Sequence, residues 1–287
     1  MKWTIIRRLL FGVHNAKGKS MRASMPNESK NDENCILRVS TFITQGDRED
    51  QQDCFGYYLH DTEGFFTVCD GMGGREGGAL ASRIAVDSIL AEYEEQYPVE
   101  GVQHFLEESA KNASDKISQL QNANGVPLGA GSTCVQVLIQ NNDMYWSSVG
   151  DSRLYLLREE EFLQLTIDQT YGTVLSEQYK NGDIDAETYI RESKTRKAEA
   201  LISYLGMDQL ELVAGSVEPI KVLPGDRIVI MSDGLYKIVP DDEMKRVLVN
   251  FRNLRETIHA LEQKAHKNAK YQEKSRDNMT VMIIEIK

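Results

Sequence analysis

Four acidic sites, each set among tight-turn residues, run through this chain of 287 residues. They are Arg48-Glu49-Asp50-Gln51-Gln52-Asp53, Asp70-Gly71-Met72-Gly73-Gly74, Ser232-Asp233-Gly234 and Arg276-Asp277-Asn278. Apolar, β-prone runs lead into Asp70 and Asp233, and another follows Asp277. A strand that stops at Asp-Gly puts a carboxylate at the rim of a sheet, and the glycine lets a backbone carbonyl turn to the same point. Carboxylates converging there, without a histidine or cysteine cluster, make an oxygen-rich site for hard cations such as Mg²⁺ or Mn²⁺. The chemistry that suits such a set is metal-assisted hydrolysis of a phosphate ester.

Each piece taken alone has a plainer reading. Asp70 stands where a cap for the following helix would stand, and Asp233 and Asp277 read as solvated turn carboxylates. Gly150-Asp151-Ser152-Arg153 reads as a β-turn. Arg48, beside Asp47, Glu49 and Asp50, reads as a surface arginine, although its planar fork grips phosphate better than a lysine does. Asp233 and Asp277 are far apart in sequence, so only the fold can join them.

The elements that would join them follow from periodicity. Residues 36–44, 54–59 and 64–69 read as strands by β-branched and aromatic content. Residues 78–93 and 102–121 read as helices, with Pro98 between them. Short strands follow at 133–140, 143–148, 152–157 and 162–165, with Asn141-Asn142 and Glu159-Glu160 where hairpin turns belong. Residues 171–197 are charged, with weak helical periodicity. Strands at 210–217, 227–231 and 278–286 and helices at 241–250 and 254–267 complete the chain. Strand clusters separated by helix pairs describe α+β layers rather than alternating βαβ units.

The formal net charge of −11 argues against nucleic-acid binding, which needs a basic face. Residues 1–34 hold seven Lys/Arg and three Asp/Glu, so the remainder carries 26 minus 41, or −15. Residues 1–13 are apolar and basic, too short to span a membrane and interrupted by Arg7-Arg8 as a signal peptide would not be. On a helix, Ile5, Ile6, Leu9, Leu10 and Val13 share a side away from Arg7 and Arg8, a pattern for a membrane surface or a partner; a frayed tail is the other reading. Residues 17–34 read as a polar linker, so residues 1–34 form a tail and 35–287 one domain. Cys35, Cys54, Cys69 and Cys134 form no Cys-x-x-Cys pair and read as reduced thiols of a cytoplasmic protein.

Six motifs in order carry a family resemblance: Arg48-x-x-x-x-Asp53, Asp70-Gly71-Met72-Gly73-Gly74, Gly131-Ser132-Thr133, Gly150-Asp151-Ser152-Arg153, Ser232-Asp233-Gly234-Leu235 and Asp277-Asn278-Met279-Thr280-Val281. They resemble the metal-dependent serine/threonine protein phosphatases (PPM, or type 2C), the bacterial branch above all, from residue 36 to the end. The resemblance implies a four-layer α-β-β-α sandwich of two antiparallel sheets flanked by helices, with the metals at one end. It implies that Asp70 bridges two ions, that Gly71 offers its carbonyl, and that Asp233 and Asp277 complete the second ion's shell. Asp53 is expected at the metals, Arg48 on the phosphate, and Asp151 with Asp233 at a third, weaker ion. Asn278 is expected to brace the turn. The activity implied is hydrolysis of phosphoserine and phosphothreonine by a hydroxide shared between two Mn²⁺ or Mg²⁺ ions. Its substrates would be phosphorylated proteins, and a cognate serine/threonine kinase is implied. The composition adds a cytoplasmic location, peripheral at the inner face of the membrane if residues 1–14 touch it.

Three departures stand out. Gln52 replaces a glutamate common in the family, Arg75 enters the glycine-rich loop, and Met72 stands where eukaryotic members carry a histidine. His14, His60, His104, His259 and His266 fall outside every motif. Gln52 and Arg75 motivate a rival reading, a weak or inactive phosphate-sensing scaffold. A second rival, a cysteine-dependent tyrosine phosphatase, rests on Cys69-x5-Arg75, with Asp70 opposing a thiolate at Cys69. An α/β-hydrolase is excluded by the lack of a Gly-x-Ser-x-Gly elbow.

Overall fold

The computed structural model describes residues 36–60 and 62–287. The tail of residues 1–34, its helix reading and Cys35 lie outside the described residues, as does the side chain of Arg75. In chain order come β1 (Leu37–Thr44), β2 (Asp53–Leu59), β3 (Gly64–Met72), α1 (Gly74–Gln96) and α2 (Val102–Ser118). They are followed by β4 (Gly131–Ser132), β5 (Cys134–Gln140), β6 (Asp143–Val149), β7 (Arg153–Arg158) and β8 (Glu161–Gln164). Next come α3 (Tyr171–Lys180), α4 (Ala186–Ser193), a 3₁₀ turn (Arg196–Glu199), β9 (Ala214–Gly215), β10 (Ile220–Lys221) and β11 (Arg227–Met231). The chain closes with α5 (Asp233–Tyr236), α6 (Asp241–Asn250), α7 (Leu254–Gln272) and β12 (Met279–Ile286).

One sheet has the order β1-β12-β11-β7-β8 and the other β10-β6-β5-β3-β2, with β4 on β3 and β9 on β6. Every pairing is antiparallel. Side-chain alternation explains why two sheets stack. Phe66 and Val68 of β3, Ile228 and Ile230 of β11, and Met282 and Ile284 of β12 pack between the sheets. Their neighbours Phe65 and Cys69 face α1 and α2, while Val229, Met231, Val281 and Ile283 face α5–α7. Both faces of each central strand are therefore buried, which gives apolar runs rather than polar alternation. The result is the expected four-layer α-β-β-α sandwich.

The hairpin turns fall where the sequence puts them. Asn141 and Asn142 have φ of 54° and 61°, the geometry of a two-residue turn whose twist suits the strands. Glu159, at φ 54°, opens the turn between Arg158 and Glu161.

Several boundaries differ from expectation. β3 does not stop at Cys69 but carries on to Met72, because Asp70 pairs with Asp53 of β2 and Gly71–Met72 pair with β4. α1 starts at Gly74 behind a Gly73 cap with no side-chain cap bond, so Asp70 is not its cap. The strand expected at 210–217 reduces to Ala214–Gly215, and β10 was not expected. Residues 171–199 hold two helices and a 3₁₀ turn.

Candidate metal centre and phosphate site

Each sequence motif has a mechanical task at one end of the sandwich. Asp53 and Asp70 stand opposite each other on β2 and β3. The Asp53 Oδ2 accepts hydrogen bonds from Ser232 Oγ at 2.7 Å and Thr280 Oγ1 at 2.8 Å, tying β2 to the other sheet. Ser132 and Thr133 grip the Asp70 backbone. Thr133 N and Ser132 Oγ both donate to the Asp70 carbonyl, at 2.8 and 3.0 Å, and Asp70 N donates to Thr133 Oγ1. Thr133 Oγ1 is in turn 2.7 Å from Ser152 Oγ, which links the motif to the turn that carries Asp151.

Asn278 braces the opposite wall as expected. Its Oδ1 accepts from Gln52 N at 2.8 Å, and its Nδ2 donates to the carbonyls of Gln45 and Asp50, both at 2.9 Å. Two glycines are required by close approach. A Cβ on Gly71 would lie 2.0 Å from the Gly78 carbonyl, and one on Gly234 2.0 Å from that of Asn278. Backbone atoms cannot yield to such contacts, so the Asp-Gly pairs are steric necessities as well as turns.

The walls enclose a pocket of about 580 Å³ that includes Arg48, Asp70, Gly71, Asp233, Asp277 and Asn278. Arg48 Nη2 lies 2.5 Å from Asp277 Oδ2. Lys237 Nζ lies 2.6 Å from Asp233 Oδ2 and 3.7 Å from Glu199, in the segment after β8. Lys237 carries no motif of its own; its place one turn after Asp233 could have flagged it only once α5 was known. Asp151 is buried near Asp70 and Asp233, with Tyr236 donating to its carbonyl at 3.1 Å and to Oδ2 at 3.2 Å. Tyr236 carries the Arg153 guanidinium 3.6 Å from its ring centroid, and Arg153 forks onto Asp168 at 2.9 and 2.7 Å.

Electrostatics mark Asp70 as the centre. Burial, and then the charges of Asp53, Asp233, Asp151 and Asp277 in that order, push its carboxyl well above the usual carboxylate range. Burial raises Asp53 to about 6 against the Ser232 and Thr280 hydroxyls, and burial with Asp233 raises Asp151 to about 6. The second oxygen of Asp53, Oδ1, is buried without a donor beside the Asp70 carboxyl. Acids packed this closely need a proton or a cation among them. Among the described residues, no three acids, histidines or cysteines are already drawn together around a single point. Three of the acids are instead held apart by internal partners: Asp277 by Arg48, Asp233 by Lys237, and Asp53 by two hydroxyls. The all-oxygen donor set, the orphaned Oδ1 and the mutual repulsion fit divalent cations that replace those partners. Asp53 is not on the pocket wall itself; its Oδ2 is spent on Ser232 and Thr280, which leaves the unpartnered Oδ1 as the oxygen it could offer an ion.

The rival signals fail on geometry. Cys69 is fully buried under α1, and burial, then Cys134, pushes its thiol well above the usual range. It cannot serve as a thiolate nucleophile. Gln52 is built into the scaffold through Nε2, which donates to the Gly74 carbonyl at 2.8 Å.

Comparison with known proteins agrees with this geometry. Residues 32–173 match the protein phosphatase 2C family. The serine/threonine phosphatase stp of Listeria monocytogenes is 27% identical over 228 residues, covering 78% of this chain and 85% of that protein. In fold, the Streptococcus agalactiae serine/threonine phosphatase superposes with a TM-score of 0.75 at 22% identity, over 88% of this chain and all of that one. The catalytic domain of PstP, solved with two manganese ions, gives 0.69 at 24% identity over 88% of this chain and 99% of that one. With this sandwich and these six motifs at one end of it, the chain is similar to the bacterial metal-dependent (PPM, type 2C) serine/threonine protein phosphatases.

Proposed function

We propose that the protein is a metal-dependent phosphatase of phosphoserine and phosphothreonine in proteins. The observation that carries this reading is the gathering of Asp53, Asp151, Asp233 and Asp277 around Asp70, with Arg48 on the same pocket wall. Asp70, the Gly71 carbonyl, Asp233 and Asp277 are the groups that would hold two divalent cations, and Asp151 with Asp233 a third. Bound there, such ions supply charge neutralisation and a water acidic enough to act as nucleophile near neutral pH. Mn²⁺ is the first choice, since PstP binds it, and Mg²⁺ the second.

The chain's own residues do the rest. Arg48 orients the phosphoryl group, exchanging the Asp277 oxygen for phosphate oxygens of the same geometry. Thr133, Ser132 and Asn278 hold the backbone of the Asp70 and Asp277 segments, so that only side-chain partners need to be exchanged when cations bind. Met72 lines the pocket and has no proton to give, so the departing serine or threonine oxygen takes its proton from solvent. A serine/threonine kinase is the class of enzyme that must supply such substrates. The unpaired thiols of Cys54, Cys69 and Cys134 fit a reducing, cytoplasmic setting for this signalling role.

The scaffold reading loses its support at Gln52, whose amide holds the glycine loop. Hydrolysis of a phosphothreonine peptide tests the proposal. Turnover with Mn²⁺ or Mg²⁺, lost in chelator and indifferent to thiol alkylation, is expected. Turnover that survives chelator and disappears in Cys69→Ser would refute it.

A further inference from the structure

A second groove, of about 700 Å³, opens at the far end of β1 and β12, and Arg38, Arg252, Arg255 and Lys287 line it. All four are exposed. Arg38, Arg252 and Arg255 enter no ion pair among the described residues. Glu285 is the one acid of the lining, and both its oxygens are taken, by Arg227 at 3.0 Å and Lys287 at 2.9 Å. Apolar side chains stand out around the cations: Ile36 is 53% exposed, Leu59 40% and Phe251 37%. The groove is prebuilt, because the buried Arg227 donates to the carbonyls of Leu248, Phe251 and Arg252 and so pins the loop between α6 and α7.

We propose that this rim docks the domain on an anionic membrane surface. Exposed cations interleaved with apolar side chains suit the headgroup layer, where both halves of the surface find partners. The neighbouring sequence points the same way. Ile36 exchanges backbone hydrogen bonds with Lys287, so residues 1–35 join the domain at this rim. That stretch contains Lys2, Trp3, Ile5, Ile6, Arg7, Arg8, Leu9, Leu10 and Phe11, a basic and apolar run. Two weak membrane signals side by side reinforce each other, where one alone gives only marginal attachment.

The net charge of −15 in the rest of the chain does not prevent this. Leu37 pairs with Ile286 at the rim and Thr44 with Met279 at the carboxylate end, seven residues along the strand. At about 3.3 Å per residue that separation is roughly 23 Å, against a screening length of about 8 Å in physiological salt. The bilayer therefore meets the local cations and not the acidic centre. In this orientation the catalytic pocket faces away from the membrane, open to protein substrates.

Sedimentation of the full-length protein with vesicles tests the proposal. The probe is a vesicle of about 30% phosphatidylglycerol in phosphatidylcholine, compared with pure phosphatidylcholine. Wild type should partition onto the anionic vesicles alone. Arg38→Gln, Arg252→Gln and Arg255→Gln should each weaken partitioning about 5-fold, and together on the order of 100-fold. Melting temperature and aryl phosphate hydrolysis should be unchanged, since none of the three supports the core or the pocket. The triple Arg→Lys variant should retain binding, because a lipid surface reads charge rather than the guanidinium fork. Equal partitioning onto neutral vesicles, or wild-type partitioning by the triple Gln variant, would overturn the proposal. So would a triple Lys variant that fails like the Gln variant, which would indicate bidentate recognition of an acidic protein.

Discussion

Asp70 is where the residue scale is decided. Burial and four neighbouring carboxylates, Asp53, Asp233, Asp151 and Asp277, act on it together, and its backbone is fixed by Ser132 and Thr133. Replacing one oxygen with an amide leaves the shape and removes the bridging charge, so Asp70→Asn should lower kcat by about 10³-fold or more with little change in melting. Arg48→Ala should act differently. It deletes a charge-assisted phosphate contact worth about 1.5–3 kcal/mol, so kcat/KM should fall roughly 10- to 150-fold, mostly through KM. Protons provide a third check. Asp53 and Asp151, ordinarily near 3.8, are raised to about 6, so below pH 6 the metal-free protein holds protons that a cation must displace. Calorimetric titration with Mn²⁺ in buffers of different ionisation enthalpy should show more proton release near pH 6 than near pH 8, with affinity rising across that window. Affinity independent of pH from 5 to 8 would contradict those raised acids.

At the scale of elements, the carboxylates, their order and the hairpin turns were legible because each depends on local chemistry: Asp-Gly pairs, Asn141-Asn142, alternating β-branched runs. What the sequence hid was long-range. Nothing local says that β3 continues through Asp70 to meet β4, or that Asp53 spends an oxygen on Ser232 and Thr280 instead of facing the pocket. Lys237 was invisible for the same reason, since α5 is a four-residue helix with no periodicity to read. Two outcomes follow. Gly234→Ala drives a methyl into the Asn278 carbonyl, and should cost about 3 kcal/mol and roughly 6–12 °C in Tm, read by thermal melting. The segment of α3, α4 and the 3₁₀ turn reaches the centre through Glu199 and Lys237. Substitutions along its exposed faces should change preference among phosphopeptides more than hydrolysis of a small aryl phosphate; equal losses on both would remove it from substrate recognition.

For the molecule as a whole, one buried ion pair joins the end remote from the carboxylates. Arg227 and Glu285 lie across β11 and β12, and Arg227 also donates to the Leu248 carbonyl in the last turn of α6 and to those of Phe251 and Arg252 just after it. Although burial opposes it, the hydrogen bonds of Lys287 and Arg227 hold the Glu285 carboxyl below its ordinary range. Its stabilising effect is thus present above the unfolded-state pKa and is lost as pH falls through the lower folded value. Arg227→Met leaves one oxygen of the buried Glu285 carboxylate and three carbonyls without their donor, and should cost about 3–5 kcal/mol in urea unfolding, part of it recovered in the Arg227→Met/Glu285→Leu double variant. The central claim rests at the opposite end, where the acids of both sheets meet to hold cations that hydrolyse phosphoproteins. Its most direct measurement is Mn²⁺ stoichiometry and phosphothreonine-peptide turnover on the same samples of wild type and Asp70→Asn. Wild type should bind about two ions tightly and turn over, and Asp70→Asn should lose both the second ion and the turnover. Undiminished turnover in Asp70→Asn, or wild type that binds Mn²⁺ and hydrolyses neither phosphopeptide nor aryl phosphate, would contradict the account.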